Sequence, residues 1–215
     1  MGSIILFDSV KGGVGKSTLL AQFSVALGSK FNIAIMDCDP QKSVENWAIR
    51  RLSSEKYEKN FSLLEANLKY LEKLQQEFDF ILVDSAGADT ETGRELLLLA
   101  NIVISPLQPT QASLDTVSIH YEILEQAMNL NPAIKAFYLL NDCSTHFKDN
   151  ETYEAEKELK EFLALNKNRA RIVHNYIYSR KLLKTSYSDG GTCFDMGKNK
   201  SKDEIKNAIN FIFSE

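Results

Sequence analysis

Apolar residues gather into short continuous runs, each closed by a polar residue. Ile4-Ile5-Leu6-Phe7 ends at Asp8, Ile33-Ala34-Ile35-Met36 at Asp37, and Phe80-Ile81-Leu82-Val83 at Asp84. Ile102-Val103-Ile104 ends at Ser105-Pro106, and Ala136-Phe137-Tyr138-Leu139-Leu140 at Asn141. Runs of this length without alternation suit strands covered on both faces, as in parallel sheets. Between them the pattern changes to helical spacing. Leu19, Leu20, Phe23 and Leu27 share one face; so do Leu114, Val117, Tyr121, Leu124 and Met128; so do Ala155, Leu159, Phe162 and Leu163; and so do Ile205, Ala208, Ile209 and Ile212. Strand–helix alternation predicts an α/β fold: a doubly wound, mostly parallel sheet flanked by helices. Ligands of such sheets bind beyond the carboxyl ends of the strands, where Asp8, Asp37, Asp84 and Asn141 fall. No repeat, low-complexity stretch or Gly/Ser/Pro linker divides residues 1–215, which read as a single domain.

Composition narrows the function classes. With 44% apolar and 25% charged residues, the 215-residue chain has the profile of a soluble globular protein. Its 25 basic residues against 29 acidic ones give a net charge of −4, which excludes a uniformly basic nucleic-acid binder. No apolar run approaches the ~18 residues of a membrane span. The first residues lack a basic flank and a long apolar stretch, so no secretory leader is expected. The cysteines (Cys38, Cys143, Cys193) are isolated and odd in number, which predicts neither disulfides nor a structural zinc site and suits the cytoplasm.

The most informative stretch is Lys11-Gly12-Gly13-Val14-Gly15-Lys16-Ser17-Thr18, between the first strand and the first helix. Glycines let successive backbone N–H groups converge on one anion, and the helix N-terminus adds partial positive charge. Lys16 supplies a full charge to the β and γ phosphates, and the Ser17 hydroxyl suits Mg²⁺. The common G-x-x-x-x-G-K-[ST] pattern requires glycine at position 10, where Val10 stands; a second lysine, Lys11, leads the loop instead. Asp84, at the end of a buried strand beside the loop, can hold Mg²⁺ through water. Asp37 and Asp39 alternate with Cys38, so their side chains point to opposite sides, and only one can face the γ-phosphate directly. Asn141 ends its strand with an amide able to read a base edge by paired hydrogen bonds.

Lys11 to Thr18 resembles the deviant Walker A loop of the ParA/MinD superfamily of ATPases. Asp37-Cys38-Asp39-Pro40-Gln41 resembles the superfamily's D-x-D-P-Q switch, and Ile81 to Gly87 its Walker B strand. The run from Asn32 to Trp47 and the chain length look most like the small ParF-type plasmid partition proteins. The likeness is strong over residues 3–142 and loose beyond. It implies the P-loop NTPase fold, ATP and Mg²⁺ as cofactors, and slow hydrolysis in which Lys11, Lys16 and Asp39 act, Asp39 by orienting the attacking water. Ser17, Asp39 and Asp84 form the expected metal shell, and residues 11–18 with Asn141 the nucleotide site. The family's front lysine touches the ATP of a second subunit, so an ATP-sandwich homodimer is expected, with Lys11 acting in trans.

Residues 167–202 carry nine Lys/Arg and two Asp, a local excess of +7 that leaves −11 elsewhere. Tyr176, Tyr178 and Tyr187 interleave with those charges. Such a patch suits sequence-independent contact with DNA phosphates, and Arg180, Lys181 and Lys184 are the expected contacts. The first strand begins by residue 3, so no helix-turn-helix is expected ahead of it. The resemblance further implies nonspecific DNA binding by the ATP dimer, nucleoid association in the cytoplasm, and a ParB/ParG-like centromere-binding partner that stimulates hydrolysis. The C-terminal helix, Lys202 to Phe213, mixes acids into its polar face and is expected to pack on the sheet, with no membrane contact. Three alternatives stand beside a partition ATPase. One is a related ATPase serving conjugative DNA transfer or the placement of another cellular structure. Another is metal-cluster or reductase chemistry, which needs cysteines facing a dimer axis. The third is a nonhydrolysing nucleotide switch.

Overall fold

The structure, a computed structural model, describes residues 2–146 and 149–215. Every predicted apolar run is a strand. In chain order the elements are β1 (Ser3–Phe7), α1 (Lys16–Gly28), β2 (Ile33–Asp37), α2 (Ser43–Ser53), β3 (Ser62–Leu64), α3 (Leu71–Leu74) and β4 (Phe80–Asp84). There follow α4 (Glu91–Leu99), β5 (Ile102–Leu107), α5 (Gln111–Leu114), α6 (Val117–Leu130), β6 (Lys135–Cys143) and α7 (Glu151–Leu165). The chain then runs through β7 (Ala170–Ile172), β8 (Ile177–Tyr178), α8 (Lys181–Tyr187) and α9 (Lys200–Ser214).

The sheet order is β3-β2-β4-β1-β5-β6-β7, with β8 pairing the end of β6. All pairings are parallel: Ile5 lies opposite Leu82 of β4 and Ile102 of β5, and Asp37 opposite Asp84. The winding reverses beside β1, so the crevice at its carboxyl end is where ligands enter. Successive strand residues feed opposite layers. Ile4, Leu6, Ile81 and Val83 pack against α3, α4, α6 and α7. Ile5, Phe7, Ile35 and Leu82 pack against α1, α2, α8 and α9. This is the doubly wound α/β fold of P-loop nucleotide-binding proteins.

Several boundaries depart from the sequence reading. The first helix, expected to show one apolar face, is buried almost all round because α2, α8 and α9 close over it. The run from Leu114 to Met128 is two helices: Thr116 turns its hydroxyl onto the Ser113 carbonyl, 2.7 Å away, and breaks the ladder. β5 continues through Pro106, because Ile104 is the last residue paired with β1 and the missing proline N–H points past the end of that strand. β6 runs on to Cys143, with a bulge at Asp142, whose φ of 58° is left-handed. α9 buries Ile205, Ala208 and Ile212, as expected. No described helix is long and apolar enough to cross a membrane.

A polar bolt joins α2 to the segment before α9. The fully buried Arg51 donates to Asp195 through two 2.8 Å bonds and to the Gly190 carbonyl at 3.1 Å. Trp47 Nε1 donates to the Gly191 carbonyl at 3.2 Å.

Candidate functional site: a phosphate loop beside paired carboxylates

The loop after β1 curls through Gly13 (φ 76°) and Gly15 (φ 97°), conformations that favour glycine. Gly15 caps α1 without any side-chain partner, so the first N–H groups of that helix stay open to an anion. Beside them Gly12 is exposed, Val14 buried and Thr18 half-buried. Lys16 is nearly buried, its Nζ 3.2 Å from Ser9 Oγ, which donates in turn to the Lys11 carbonyl at 2.8 Å. Ser9, which the sequence reading passed over, thus holds the Lys16 ammonium in place.

Ser17 Oγ donates to Asp84 Oδ2 at 2.6 Å, and Asp84 Oδ1 is buried without any hydrogen-bond partner. Burial raises the Asp84 pKa to about 7, against the Ser17 hydrogen bond, with Asp37 and Asp39 adding repulsion. An orphaned carboxylate oxygen beside a hydroxyl is a hard, all-oxygen donor set, and it fits a divalent cation such as Mg²⁺.

The structure separates the roles of Asp37 and Asp39. Asp37 is buried, accepting from the backbone N–H of Asp39 and of Glu45, both at 2.9 Å, which pins the turn that starts α2. Asp39 sits beyond it, half-buried, accepting from Gln41 N at 2.8 Å. Lys11 is folded back on its own subunit: its Nζ donates to Ser113 Oγ at 3.1 Å. Asn141 braces the loop, its Nδ2 donating to the Val14 carbonyl at 2.8 Å.

A cleft of about 280 Å³ opens between the loop and the end of β6. Its walls are Gly13 to Gly15, Thr18, Gln108, Asn141, Asp142, Tyr178, Arg180, Leu183 and Lys184. Of the three residues expected to contact DNA, Arg180 and Lys184 line this cleft and Lys181 does not. Arg180 is clamped by Glu204 of α9 at 3.0 Å and lies over the Tyr178 ring, and Lys184 reaches Asp142 at 3.4 Å. Arg169 is likewise near Glu125, and Arg171 is paired with Glu215. Acids supplied from elsewhere in the chain neutralise much of the excess counted along the sequence. Lys181 and the tip of Lys184 remain exposed. The sequence reading did not find Arg180 and Lys184 as cleft residues; the only available signal was their place just after a strand end.

The cysteines form no cluster, and no group of metal-ligating side chains with three or more His, Cys, Asp or Glu occurs among the described residues. Burial pushes the Cys143 and Cys193 thiols up to about 12 and the Cys38 thiol to about 11, which keeps them protonated.

A family model described as the CobQ/CobB/MinD/ParA nucleotide binding domain matches residues 5–193. Over 138 residues the chain is 25% identical to the maintenance of carboxysome distribution protein A of Halothiobacillus neapolitanus, covering 62% of this chain and 63% of that protein. The chain thus spans about three fifths of the length of the curated relatives it matches. Its fold superposes on apo McdA from Cyanothece with a TM-score of 0.81, at 15% identity, over 98% of this chain and 99% of that one. It superposes on a putative plasmid partition protein from Borrelia burgdorferi, bound to AMPPNP, with a TM-score of 0.71, at 19% identity, over 100% and 99% of the two chains. At these identities the structural likeness establishes the fold.

Proposed function

This chain belongs to the CobQ/CobB/MinD/ParA family of nucleotide-binding domains, and on that footing we propose that it is a Mg²⁺-dependent partition ATPase. It forms an ATP-sandwich dimer, binds nonspecific DNA and positions a plasmid or chromosomal cargo. The observation that carries the reading is the Ser17–Asp84 pair beside the open phosphate loop, with the second Asp84 oxygen unsatisfied.

Phosphoryl transfer asks for positioning and charge neutralisation more than for covalent help. The backbone N–H groups of residues 12–18 take the phosphates. Lys16 leaves Ser9 for the β and γ oxygens. Ser17 and Asp84 would hold Mg²⁺, which would neutralise phosphate charge. Asp39, half-buried at the turn braced by Asp37, orients the attacking water and would complete the metal shell through water. Asn141 exchanges its bond to Val14 for the adenine edge, and Arg180, steadied by Glu204, lines the base side of the cleft. Lys11 leaves Ser113 and reaches the γ-phosphate held by a second copy.

DNA contact falls to Lys181 and Lys184 with the exposed Lys198 and Lys200, whereas Arg180 serves the cleft. A ParB/ParG-like protein with a flexible basic tail supplies the missing stimulation of turnover. A second reading, placement of a different cellular body, is favoured by the likeness to the carboxysome distribution protein; it uses the same cycle with another cargo.

The test is dimerisation and DNA binding measured with ADP, with ATP and with a nonhydrolysable analogue. Dimers and DNA complexes should form with the last two only, and Asp39→Ala should persist on DNA in ATP. Equal binding in all three states would refute the cycle.

A further inference from the structure

The end of β1 carries a buried polar cluster outside the cleft. Asp8 is fully buried. Its Oδ1 accepts a short hydrogen bond from Ser85 Oγ, and Ser85 Oγ accepts from Gly87 N at 2.9 Å. On the other side, Asp8 Oδ2 lies 3.4 Å from His120 Nε2, and His120 Nδ1 lies 2.9 Å from the Tyr138 hydroxyl. Ser105 Oγ stands 3.5 Å from the same Nε2. Burial pushes the Tyr138 hydroxyl pKa up, so the phenol keeps its proton. A carboxylate here is tolerable only because the cluster is satisfied as a unit.

Both ends of this chain of contacts reach the nucleotide machinery. Gly87, at a left-handed φ of 127°, is wedged between the phosphate loop and α4: a Cβ on it would lie 3.3 Å from the Ser9 carbonyl, and a Cβ on Gly93 would lie 2.1 Å from the Gly87 carbonyl. Ser9 is the residue that holds Lys16. His120 stands on α6, directly after α5, whose Ser113 accepts from Lys11.

We propose that Asp8 and His120 are positioning residues: through Ser85 they fix the loop between Asp84 and α4 against the phosphate loop, and tie it to the α5–α6 segment on which Lys11 rests. Neither side chain touches the phosphates; both act through the Ser85–Gly87 turn. For turnover the proposal rests on the ATPase reading above, while the clasp itself does not.

The test compares wild type with Ser85→Ala, Asp8→Ala and Asp8→Asn. Amide hydrogen exchange over residues 85–90 is followed without nucleotide, and steady-state kinetics with ATP and Mg²⁺. Ser85→Ala, a small change that leaves the Asp8–His120 contact in place, should speed exchange about tenfold and lower kcat about tenfold, with KM within about twofold, as loss of positioning without loss of binding requires. Asp8→Ala should do the same. Asp8→Asn keeps an acceptor for Ser85 but presents its amide nitrogen, in place of Oδ2, to His120 Nε2, so both readouts should fall between those of wild type and Asp8→Ala. Unchanged exchange in Ser85→Ala, or faster exchange with kcat intact, would overturn the proposal. A wild type that turns over no ATP would sink the ATPase reading instead, with the exchange data still deciding the clasp.

Discussion

Replacing Asp84 with asparagine should stabilise the nucleotide-free protein as pH rises and weaken its response to magnesium. Burial raises the Asp84 pKa in the folded state from 3.8 to about 7. The folded state therefore holds a proton that the unfolded chain releases near pH 3.8. The stabilisation from that proton is complete below the unfolded pKa and is lost as pH climbs through the folded one. A rise from 3.8 to about 7 corresponds to about 4 kcal/mol in all, of which roughly 2–3 kcal/mol disappears between pH 5 and pH 8. The side chain is buried, so solvent screening takes little from that figure. The Asp84→Asn variant, neutral throughout, lacks this slope. Urea unfolding in EDTA, followed by circular dichroism at both pH values, measures it: wild type should lose roughly 2–3 kcal/mol more than the variant over that interval. Adding Mg²⁺ with a nonhydrolysable ATP analogue at pH 8 should then stabilise wild type strongly and the variant weakly. Parallel pH profiles for the two proteins would refute the claim that Asp84 is an uncompensated buried carboxylate.

Three other substitutions probe separate parts of the site and its support. Gly15→Ala places a Cβ 2.3 Å from Asn141 Nδ2 at a φ of 97°, so nucleotide affinity measured with a fluorescent ATP analogue should fall; strain of this kind costs about 1–3 kcal/mol. Arg51→Ala leaves Asp195 and the Gly190 carbonyl without their buried partner, and chemical denaturation should show a loss of about 3–5 kcal/mol. Glu204→Gln loosens Arg180 from its clamp; ATP affinity should drop about fivefold with kcat at saturation unchanged, since the proposed role of Arg180 is to line the base side of the cleft.

The sequence disclosed what is local and lost what is supplied from afar. Buried parallel strands read as unbroken apolar runs, and the phosphate loop is contiguous, so β1, β2, β4, β5, β6 and residues 11–18 were legible. α2 was not singled out as a helix, because its inward face carries Arg51, a residue that patterning assigns to solvent and that Asp195, far along the chain, makes tolerable. The same limit applies to the basic segment: Arg171 and Arg180 count as free charges along the sequence, whereas the fold pairs them with Glu215 and Glu204. Asp8 marked the end of a strand and nothing more, since its partners Ser85 and His120 come from β4's loop and α6. The break at Thr116 was hidden because apolar spacing continues across it.

Sedimentation of wild type and Lys11→Ala in Mg²⁺ with a nonhydrolysable ATP analogue probes the shared-nucleotide dimer most directly. The lysine rests on Ser113 of its own chain, 3.1 Å away, and must swing out to reach a neighbour's γ-phosphate. Wild type should sediment as a dimer with the analogue and as a monomer with ADP, and Lys11→Ala should stay monomeric in both. An analogue-bound wild type that remains monomeric, or a Lys11→Ala protein that dimerises equally well, would contradict it.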